Sequence, residues 1–491
     1  MKYYSTRNKN NIVTAAQAIA QGLASDGGLF VPETIPAVSI SEIEALCKMD
    51  YREKAVAIMS KYLDEFTEEE LRGYVRSAYS DNYDCAEIAP TCFLDDNTGV
   101  LELWHGPTCA FKDMALQMLP RLLTASLKKI GEERKVCILV ATSGDTGKAA
   151  LEGFADVEGT SIVVFYPRDG VSDVQKLQMT TQRGENVFVS AVEGNFDDAQ
   201  TGVKKIFSDR DFANALNARG FFLSSANSIN WGRLLPQIVY YFSAYCDYVN
   251  SGKIKMGDKI DFCVPTGNFG DILAGWYAKK MGLPVRKLIC ASNRNNVLTD
   301  FINTGVYDRN REFYATISPS MDILVSSNLE RLLFMLSDDA SVKSWMDELK
   351  TDGKYDVGAK VLSDIQADYA CGYTGDEEAK AFISELYKDT GYLMDTHTAD
   401  AYGVLSKIRR SGEVFPTVIV STASPFKFCD SVLEAFGEDS SKSGAELIDK
   451  LAAVTRIKAP KPLTGLGGRE VRFTSCASKE KMPDVVMDFL S

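Results

Sequence analysis

The chain has 491 residues, of which 45% are hydrophobic and 25% are charged, proportions typical of a globular protein with a large buried core. Its formal net charge of −13 at pH 7 argues against nonspecific nucleic-acid binding, which needs a basic surface to displace counterions from phosphates. The sequence contains neither a membrane-spanning apolar run nor the apolar core of a secretion signal, so we expect a cytoplasmic protein without a membrane partner, whose 11 cysteines are reduced.

Residues 1–90 are predicted to form a separate, mainly helical N-terminal domain. Apolar residues recur at helical spacing in residues 14–19 and again in residues 41–46. The turn-rich residues 25–28 separate these two segments.

The segment from His105 to Asp113 contains the lysine of greatest chemical interest. Lys112 lies between a turn and an apolar helical run, residues 114–119. A partly desolvated lysine loses its proton more easily than a surface lysine and can then attack a carbonyl carbon to form a Schiff base. By itself, the segment is also compatible with the edge of an amphipathic helix whose lysine extends its amine into solvent.

From about residue 135 onward, short β-branched runs alternate with longer helical patterns. The predicted strands are residues 136–140, 161–165, 186–189, 259–264, 286–290 and 416–420. Their nearly continuous apolarity indicates strands covered on both faces, as in a parallel sheet with crossover helices. A long helical pattern, residues 231–249, divides the runs into two groups. We therefore predict an α/β fold with a smaller lobe (residues 91–230), a larger lobe (residues 231–435) and a C-terminal extension (residues 436–491).

Two of the predicted strands end in glycine-containing turns that open helices. The sequence Ser143-Gly144-Asp145-Thr146 offers hydroxyls and free backbone N–H groups to a carboxylate or phosphate, although a plain N-cap would produce the same pattern. In Gly267-Asn268-Phe269-Gly270, the glycines allow successive N–H groups to converge on a phosphate. A tight turn without a ligand is the alternative at this second position.

A third strand end supplies hydroxyl groups. Ser421 and Thr422 follow residues 416–420, and a hydroxyl can hydrogen-bond a neutral pyridine nitrogen. A lysine for an aldehyde, a glycine cradle for a phosphate and a hydroxyl for a ring nitrogen together describe pyridoxal 5′-phosphate.

Because His105 and His397 are the only histidines, no metal site is expected. His397 precedes a helical pattern, where a capping or packing role is expected.

The chain resembles the threonine synthase family. Four motifs match the family's signatures in order, namely His105-Gly106-Pro107-Thr108-x-Ala110-Phe111-Lys112-Asp113, Ser143-Gly144-Asp145-Thr146-Gly147, Gly267-Asn268-Phe269-Gly270-Asp271 and Ser421-Thr422-Ala423. Tyr4-Ser5-Thr6-Arg7 and Asp26-Gly27-Gly28-Leu29-Phe30-Val31-Pro32 are similar to the family's N-terminal domain. The resemblance extends from one end of the chain to the other.

This resemblance implies a fold-type II pyridoxal-phosphate enzyme that converts O-phospho-L-homoserine and water into L-threonine and phosphate. Lys112 would be the catalytic residue, forming the Schiff base with the cofactor and transferring protons. The other residues implied to bind the cofactor are Gly267, Asn268, Phe269 and Gly270 at its phosphate, Asp271 of the same motif, and Thr422 at its pyridine nitrogen. Those implied to meet the substrate carboxylate and the cofactor's ring oxygen are Ser143, Gly144, Asp145 and Thr146, although many relatives have Asn in place of Asp145.

The phosphate of the substrate needs a second anion site. Ser228, Asn230 and Arg233 are our candidates, because they combine hydroxyl and amide donors with one guanidinium at a predicted helix start. A capped helix with a solvent-facing Arg233 is the alternative.

Two other functions remain compatible with the sequence. A related phospho-lyase would release 2-oxobutyrate from the same substrate, and a non-catalytic α/β protein would use the glycine loops to sense a small molecule. In each case we expect a monomer or a homodimer.

Overall fold

A small sheet and four helices form the N-terminal domain of the computed structural model, which describes residues 1–142, 144–168, 171–412, 414–442 and 444–491. The elements are β1 (Lys2–Ser5), β2 (Asn8–Thr14), α1 (Ala15–Gln21), β3 (Phe30–Pro32), α2 (Ile40–Leu46), α3 (Tyr51–Met59) and α4 (Glu68–Ala78). The strands pair antiparallel in the order β2-β1-β3. Each helix begins at a capping box, which satisfies the free N–H groups of its first turn. The predicted helices are therefore present, together with a sheet that we did not predict.

The next part of the chain contributes strands to two different sheets. Its elements are β4 (Thr91–Phe93), β5 (Thr98–Glu102), α5 (Lys112–Leu116), α6 (Leu119–Lys129), β6 (Lys135–Ala141), α7 (Asp145–Phe154), β7 (Thr160–Pro167), α8 (Asp173–Thr180), β8 (Val187–Val192), α9 (Phe196–Ser208), α10 (Arg210–Ala218) and β9 (Phe221–Ser224). Strands β6 to β9 form the parallel sheet of the smaller lobe, and β4 and β5 belong to the larger sheet.

The larger lobe follows. Its elements are α11 (Trp231–Asn250), β10 (Ile260–Pro265), α12 (Gly270–Met281), β11 (Val285–Ser292), α13 (Val297–Thr304), β12 (Val306–Asp308), α14 (Leu329–Leu336), α15 (Asp339–Thr351), β13 (Lys354–Asp356), α16 (Gly358–Asp368), β14 (Tyr369–Tyr373), α17 (Asp376–Thr390), α18 (Thr396–Ser411), β15 (Thr417–Ser421) and α19 (Cys429–Ala435). The larger sheet has the order β14-β11-β10-β15-β5-β4, and β4 is its antiparallel strand. Since β10 and β15 are neighbours, the loops that follow them meet at one edge of the sheet.

The last part of the chain contains α20 (Ala445–Thr455), β16 (Ser475–Ala477) and α21 (Met482–Phe489). Strand β16 extends the smaller sheet by pairing with β8. Two predicted boundaries therefore need correction. Residues 91–102 belong to the larger sheet, and the C-terminal extension from residue 436 supplies a strand to the smaller lobe. The sequence did not indicate either pairing, because β4 and β16 are three residues long and lie at sheet edges.

Helix α11 joins the N-terminal domain to the larger lobe. It is buried along most of its length, and Trp231 at its start packs edge-on against Tyr3 and Tyr277, with ring centroids 5.5 and 5.4 Å apart. Burial of large aromatic side chains at such a junction contributes roughly 2 kcal/mol each. The Arg7 guanidinium adds a bidentate ion pair with Glu330 of α14. No helix among the described residues is both long enough and apolar enough to cross a bilayer.

Candidate active site between the two lobes

Lys112 is held against the segment that follows β15. The amide N–H of Phe111 donates to the Thr422 carbonyl at 2.8 Å, and Ala110 forms an isolated bridge with Ala423. These backbone contacts bring together the predicted lysine and the predicted hydroxyl, which are 310 positions apart in the sequence. The Thr422 side chain is buried and its hydroxyl has no hydrogen bond with any described residue, which leaves it available to a ligand. Ser421 instead serves the scaffold, accepting hydrogen bonds from Trp104 Nε1 and from a threonine hydroxyl of α18.

The environment of Lys112 favours the neutral amine. Burial lowers the pKa of Lys112 to about 8 and outweighs the opposing effect of the Asp145 carboxylate. The Nζ atom lies 3.8 Å from Asp145 Oδ2. A lysine with this pKa has a much larger neutral fraction at pH 7 than a surface lysine, as nucleophilic attack and proton abstraction require.

The loop after β6 presents Asp145 to this lysine. Gly144 has φ of +136°, and a Cβ at this position would lie 2.4 Å from atoms of the Gln175 side chain, so glycine is required here. Asp145 begins α7 and is buried. Although burial opposes ionisation, the ammonium groups of Lys427 and Lys112 hold the pKa of Asp145 well below its usual range. Thr146 is half-buried in the same turn, whereas the predicted substrate residue Ser143 lies outside the described residues.

The turn after β10 has the geometry of an anion cradle. Phe269 adopts the left-handed conformation, φ 63° and ψ 1°, immediately before the first residue of α12. The free N–H groups of a helix start point toward the turn, and the helix dipole favours negative charge there. Asn268 is exposed and Phe269 is buried. The turn therefore presents the polar Asn268 side chain outward and packs the Phe269 ring in the core.

Residues 316–328, which we call the covering segment, pack over this turn. A Cβ added to Gly267 would lie 2.8 Å from the Ser320 carbonyl oxygen. The Ser326 hydroxyl donates to the Gly267 carbonyl at 2.7 Å, and the Asn328 amide N–H donates to the Asn268 carbonyl at 3.1 Å. The close approach explains the glycine at position 267.

Asp271, which we predicted to bind the cofactor, directs its carboxylate away from the turn. The hydroxyls of Tyr240 and Tyr241 on α11 donate to Asp271 Oδ1 at 2.6 and 2.8 Å. Burial raises the pKa of Asp271 to about 6. The carboxylate therefore ties the start of α12 to α11. Asp271 would contact a bound phosphate through its backbone N–H.

A second cationic centre lies at the start of α11. Arg233 is 2% exposed, its Nη1 donates to the Ala226 carbonyl at 2.9 Å, and its Nε has no partner among the described residues. Burial lowers the pKa of Arg233 to about 10, which still leaves the guanidinium charged at neutral pH. The alternative of a solvent-facing arginine is therefore wrong. A buried guanidinium without an acidic partner is costly unless a ligand supplies the negative charge.

The two other residues predicted at this second site differ in their surroundings. The Ser228 hydroxyl lies 3.4 Å from Asn328 Nδ2, a long contact that leaves it available. Asn230 is the N-cap of α11, since its Oδ1 accepts from the Gly232 N–H at 2.8 Å, and its Nδ2 donates to the Ile19 carbonyl at 3.0 Å. Both ends of the Asn230 side chain are thus engaged within the protein. The structure gives Asn230 a role in capping and domain docking, and its contact with substrate stays a prediction.

His397 and His105 both make structural contacts near the site. Asp395, not His397, caps α18. His397 Nε2 accepts from the Ser320 N–H at 3.2 Å and so holds the covering segment, while Nδ1 lies 3.0 Å from Asp395. His105 lies between two carboxylates, with Nδ1 2.6 Å from Asp84 and Nε2 2.9 Å from Glu102.

Lys427 is the residue of the site that sequence reasoning missed. It is fully buried and forms an ion pair with Asp145 Oδ1 at 2.8 Å. Its sequence signal was a single lysine between two phenylalanines, two positions after Pro425, because a charged residue inside an apolar run close to a strand end is unusual unless it has a buried partner.

These residues fit pyridoxal 5′-phosphate. Lys112 has a lowered pKa and is held against the segment of Thr422, whose buried hydroxyl has no partner among the described residues. The N–H groups at the start of α12 offer an anion cradle, and the buried Arg233 offers a separate site for a second anion. The donor set therefore matches an aldehyde, a pyridine nitrogen and two phosphates.

Comparison with known proteins agrees with this chemistry. Family models described as "Threonine synthase N terminus", "Pyridoxal-phosphate dependent enzyme" and "Threonine synthase, C-terminal" match residues 2–79, 100–424 and 398–486. "Threonine synthase-like 1" of Homo sapiens is 43% identical over 86% of this chain, which spans only 58% of that protein's length. "Threonine synthase" of Saccharomyces cerevisiae is 37% identical over 98% of each chain. The crystal structure of PLP-bound threonine synthase from Brucella melitensis has a TM-score of 0.88 and 38% identity, and covers 100% of this chain and 98% of that one.

Proposed function

The chain belongs to the threonine synthase family of pyridoxal-phosphate-dependent enzymes, and from this premise we propose that it converts O-phospho-L-homoserine and water into L-threonine and phosphate. The observation that carries the proposal is the buried Arg233 guanidinium, which has no acidic partner among the described residues. A substrate with its own phosphate explains why a second anion site accompanies the one for the cofactor.

Most residues of the site have a task in this reaction. Bound pyridoxal 5′-phosphate supplies the electron sink that makes protons at the substrate's Cα and Cβ acidic. Lys112 would hold the cofactor and, as a free amine, would remove and return those protons, a role suited to its pKa of about 8. The turn at residues 267–270 would hold the cofactor phosphate, Thr422 would face the ring nitrogen, and Thr146 with the N–H groups of the α7 start would orient the substrate carboxylate.

Arg233 and Ser228 bind the γ-phosphate until it leaves. A guanidinium in a site excluded from water interacts strongly with a dianion and orients it through paired N–H donors. Buried in this way, Arg233 also favours the departing phosphate as its negative charge grows.

Substitution of Arg233 tests the proposal. Arg233→Ala should raise KM for phosphohomoserine roughly 30- to 100-fold, the effect of losing one or two charge-assisted hydrogen bonds, while the absorbance of the bound cofactor is retained. Arg210→Ala, at an exposed position of α10, is the matched control and should leave KM unchanged. An unchanged KM in Arg233→Ala would remove this residue from the substrate site.

Product analysis separates the proposed reaction from its neighbours. We expect the purified enzyme to form threonine and phosphate in equal amounts from phosphohomoserine. Formation of 2-oxobutyrate in place of threonine would instead indicate a phospho-lyase, and binding without turnover would indicate a sensor.

The remaining parts of the proposal concern the setting of the enzyme. We place it in the cytoplasm as a monomer or a homodimer that acts on a small molecule and binds neither nucleic acid nor membranes. The acidic net charge of −13 supports the absence of nucleic-acid binding. Light scattering of the purified protein and fractionation of cells would test it.

A further inference from the structure

Lys427 is a fully buried cation to which the reaction above assigns no task. Its ammonium group forms an ion pair with Asp145 Oδ1 at 2.8 Å and donates to the Thr108 carbonyl at 2.9 Å and to Gln178 Oε1 at 3.1 Å. Burying a charge costs several kcal/mol unless it is paired, and the acid that pairs with this one faces Lys112.

Asp145 divides its two oxygens between the two lysines. Oδ1 is ion-paired with Lys427 and accepts from Gln175 Nε2 at 2.9 Å, and these contacts orient the carboxylate. Oδ2 lies 3.8 Å from Lys112 Nζ, a separation too long for a hydrogen bond. Asp145 therefore acts on Lys112 through its charge, from a distance that its other contacts maintain.

Building on the proposed function, we propose that Lys427 is a positioning residue for the reaction, which anchors and neutralises Asp145 so that the Lys112 nitrogen can release its proton near neutral pH. Four charged groups act on that nitrogen. Asp145 on α7 and Asp271 on α12 favour its proton, whereas Arg233 on α11 and Lys427 after β15 oppose it. Without Lys427, the carboxylate of Asp145 would be free to form a tight ion pair with Lys112 and hold it in the protonated state.

Lys427→Gln tests the inference, because glutamine can still donate a hydrogen bond to Asp145 but carries no charge. We expect the pH at which the Lys112 nitrogen loses its proton to rise by about one unit, which makes the reactive fraction near pH 7 about tenfold smaller. The readout is a pH titration of the cofactor absorbance in the purified holoenzyme. The acid limb of the kcat profile should shift by the same amount, with little change in KM.

Two comparisons separate positioning from a general structural effect. In an Asp145→Asn background, Lys427→Gln should move the titration midpoint much less, because only the direct effect of the Lys427 charge on Lys112 then remains. Lys148→Gln is the matched control. Lys148, on α7, is also buried, but it pairs with Glu152. The titration midpoint of Lys148→Gln should equal that of the wild type.

The inference is overturned if Lys427→Gln keeps the wild-type midpoint, or if it causes the same shift in the Asp145→Asn background. Should Lys427→Gln fail to fold, Lys427→Arg provides the test, since a retained charge must retain the midpoint. A Lys427-dependent titration in a protein that makes no threonine would refute the proposed function alone. Threonine formation with an unshifted Lys427→Gln midpoint would refute this inference alone.

Discussion

His105 should make the free energy of unfolding of this protein decrease as the pH rises from neutral to alkaline. Its ring lies between Asp84 and Glu102, with one nitrogen facing each carboxylate. Although partial burial opposes the charge, the hydrogen bonds to both acids raise the pKa of His105 from 6.5 to about 9. A change of this size corresponds to on the order of 3 kcal/mol of native-state stabilisation.

The sign of the effect follows from linkage. Because the folded-state pKa of His105 is raised, its contribution is fully present below about pH 6.5 and disappears as the pH rises through about 9. His105→Gln should have a lower free energy of unfolding than the wild type. The pH-dependent part of this difference should be about 3 kcal/mol near pH 6, about 1.5 kcal/mol near pH 8 and almost zero above about pH 9.5.

Urea unfolding of both proteins across this pH range is the assay, since subtracting the two curves removes the titration of all other groups. Asp84→Asn should reduce the pH-dependent part by removing one of the two acids. The ring protons of His105 can be followed directly by NMR, because the chain has only two histidines. A difference between the wild type and His105→Gln that is constant from pH 6 to 9.5 would refute a charged His105.

The glycines provide two further predictions. A Cβ at Gly153 would lie 2.0 Å from the Leu116 carbonyl oxygen, whereas one at Gly73, in α4, meets nothing within 4 Å. The melting temperature of Gly153→Ala should therefore lie several degrees below that of the wild type. Gly73→Ala should be stabilised by up to about 1 kcal/mol, because alanine has the higher helix propensity. Melting temperatures equal to that of the wild type would contradict both predictions. Gly267→Ala should weaken cofactor binding at least tenfold in a fluorescence titration with pyridoxal phosphate, because its Cβ would meet a backbone oxygen of the covering segment at 2.8 Å. Gly73→Ala, whose Cβ meets nothing within 4 Å, is the control for cofactor binding, and a similar loss there would show that the space at position 267 is not the cause.

The strands that carry the site could be predicted from the sequence because their signal is local. A buried parallel strand needs a nearly continuous apolar run, and the six predicted runs coincide with β6, β7, β8, β10, β11 and β15. The loops at the ends of β6, β10 and β15 were identified by the same reasoning, since glycine and hydroxyl residues mark where such strands end. Lys112 was identifiable as a candidate because it follows a turn in an otherwise apolar stretch.

The partners of each side chain could not be predicted, because they come from distant parts of the chain. Asn230 and Arg233 are three residues apart and have the same sequence signal, a polar group at a helix start. In the fold, the Asn230 amide donates to the carbonyl of Ile19 in the N-terminal domain, whereas Arg233 has no acidic partner in the part of the chain that the structure describes. The chemical difference between them is therefore a property of the tertiary structure.

The sequence by itself determined the fold class, the strand ends and the lysine, since each depends on which residues are adjacent along the chain. Only the tertiary structure decided the electrostatics of the site. The pKa of Lys112 depends on burial and on Asp145, Arg233, Lys427 and Asp271, groups that lie 33 to 315 positions away in the sequence. Coulomb interactions and desolvation depend on distance in space and on exclusion of water, and both arise only when the two lobes pack around one volume.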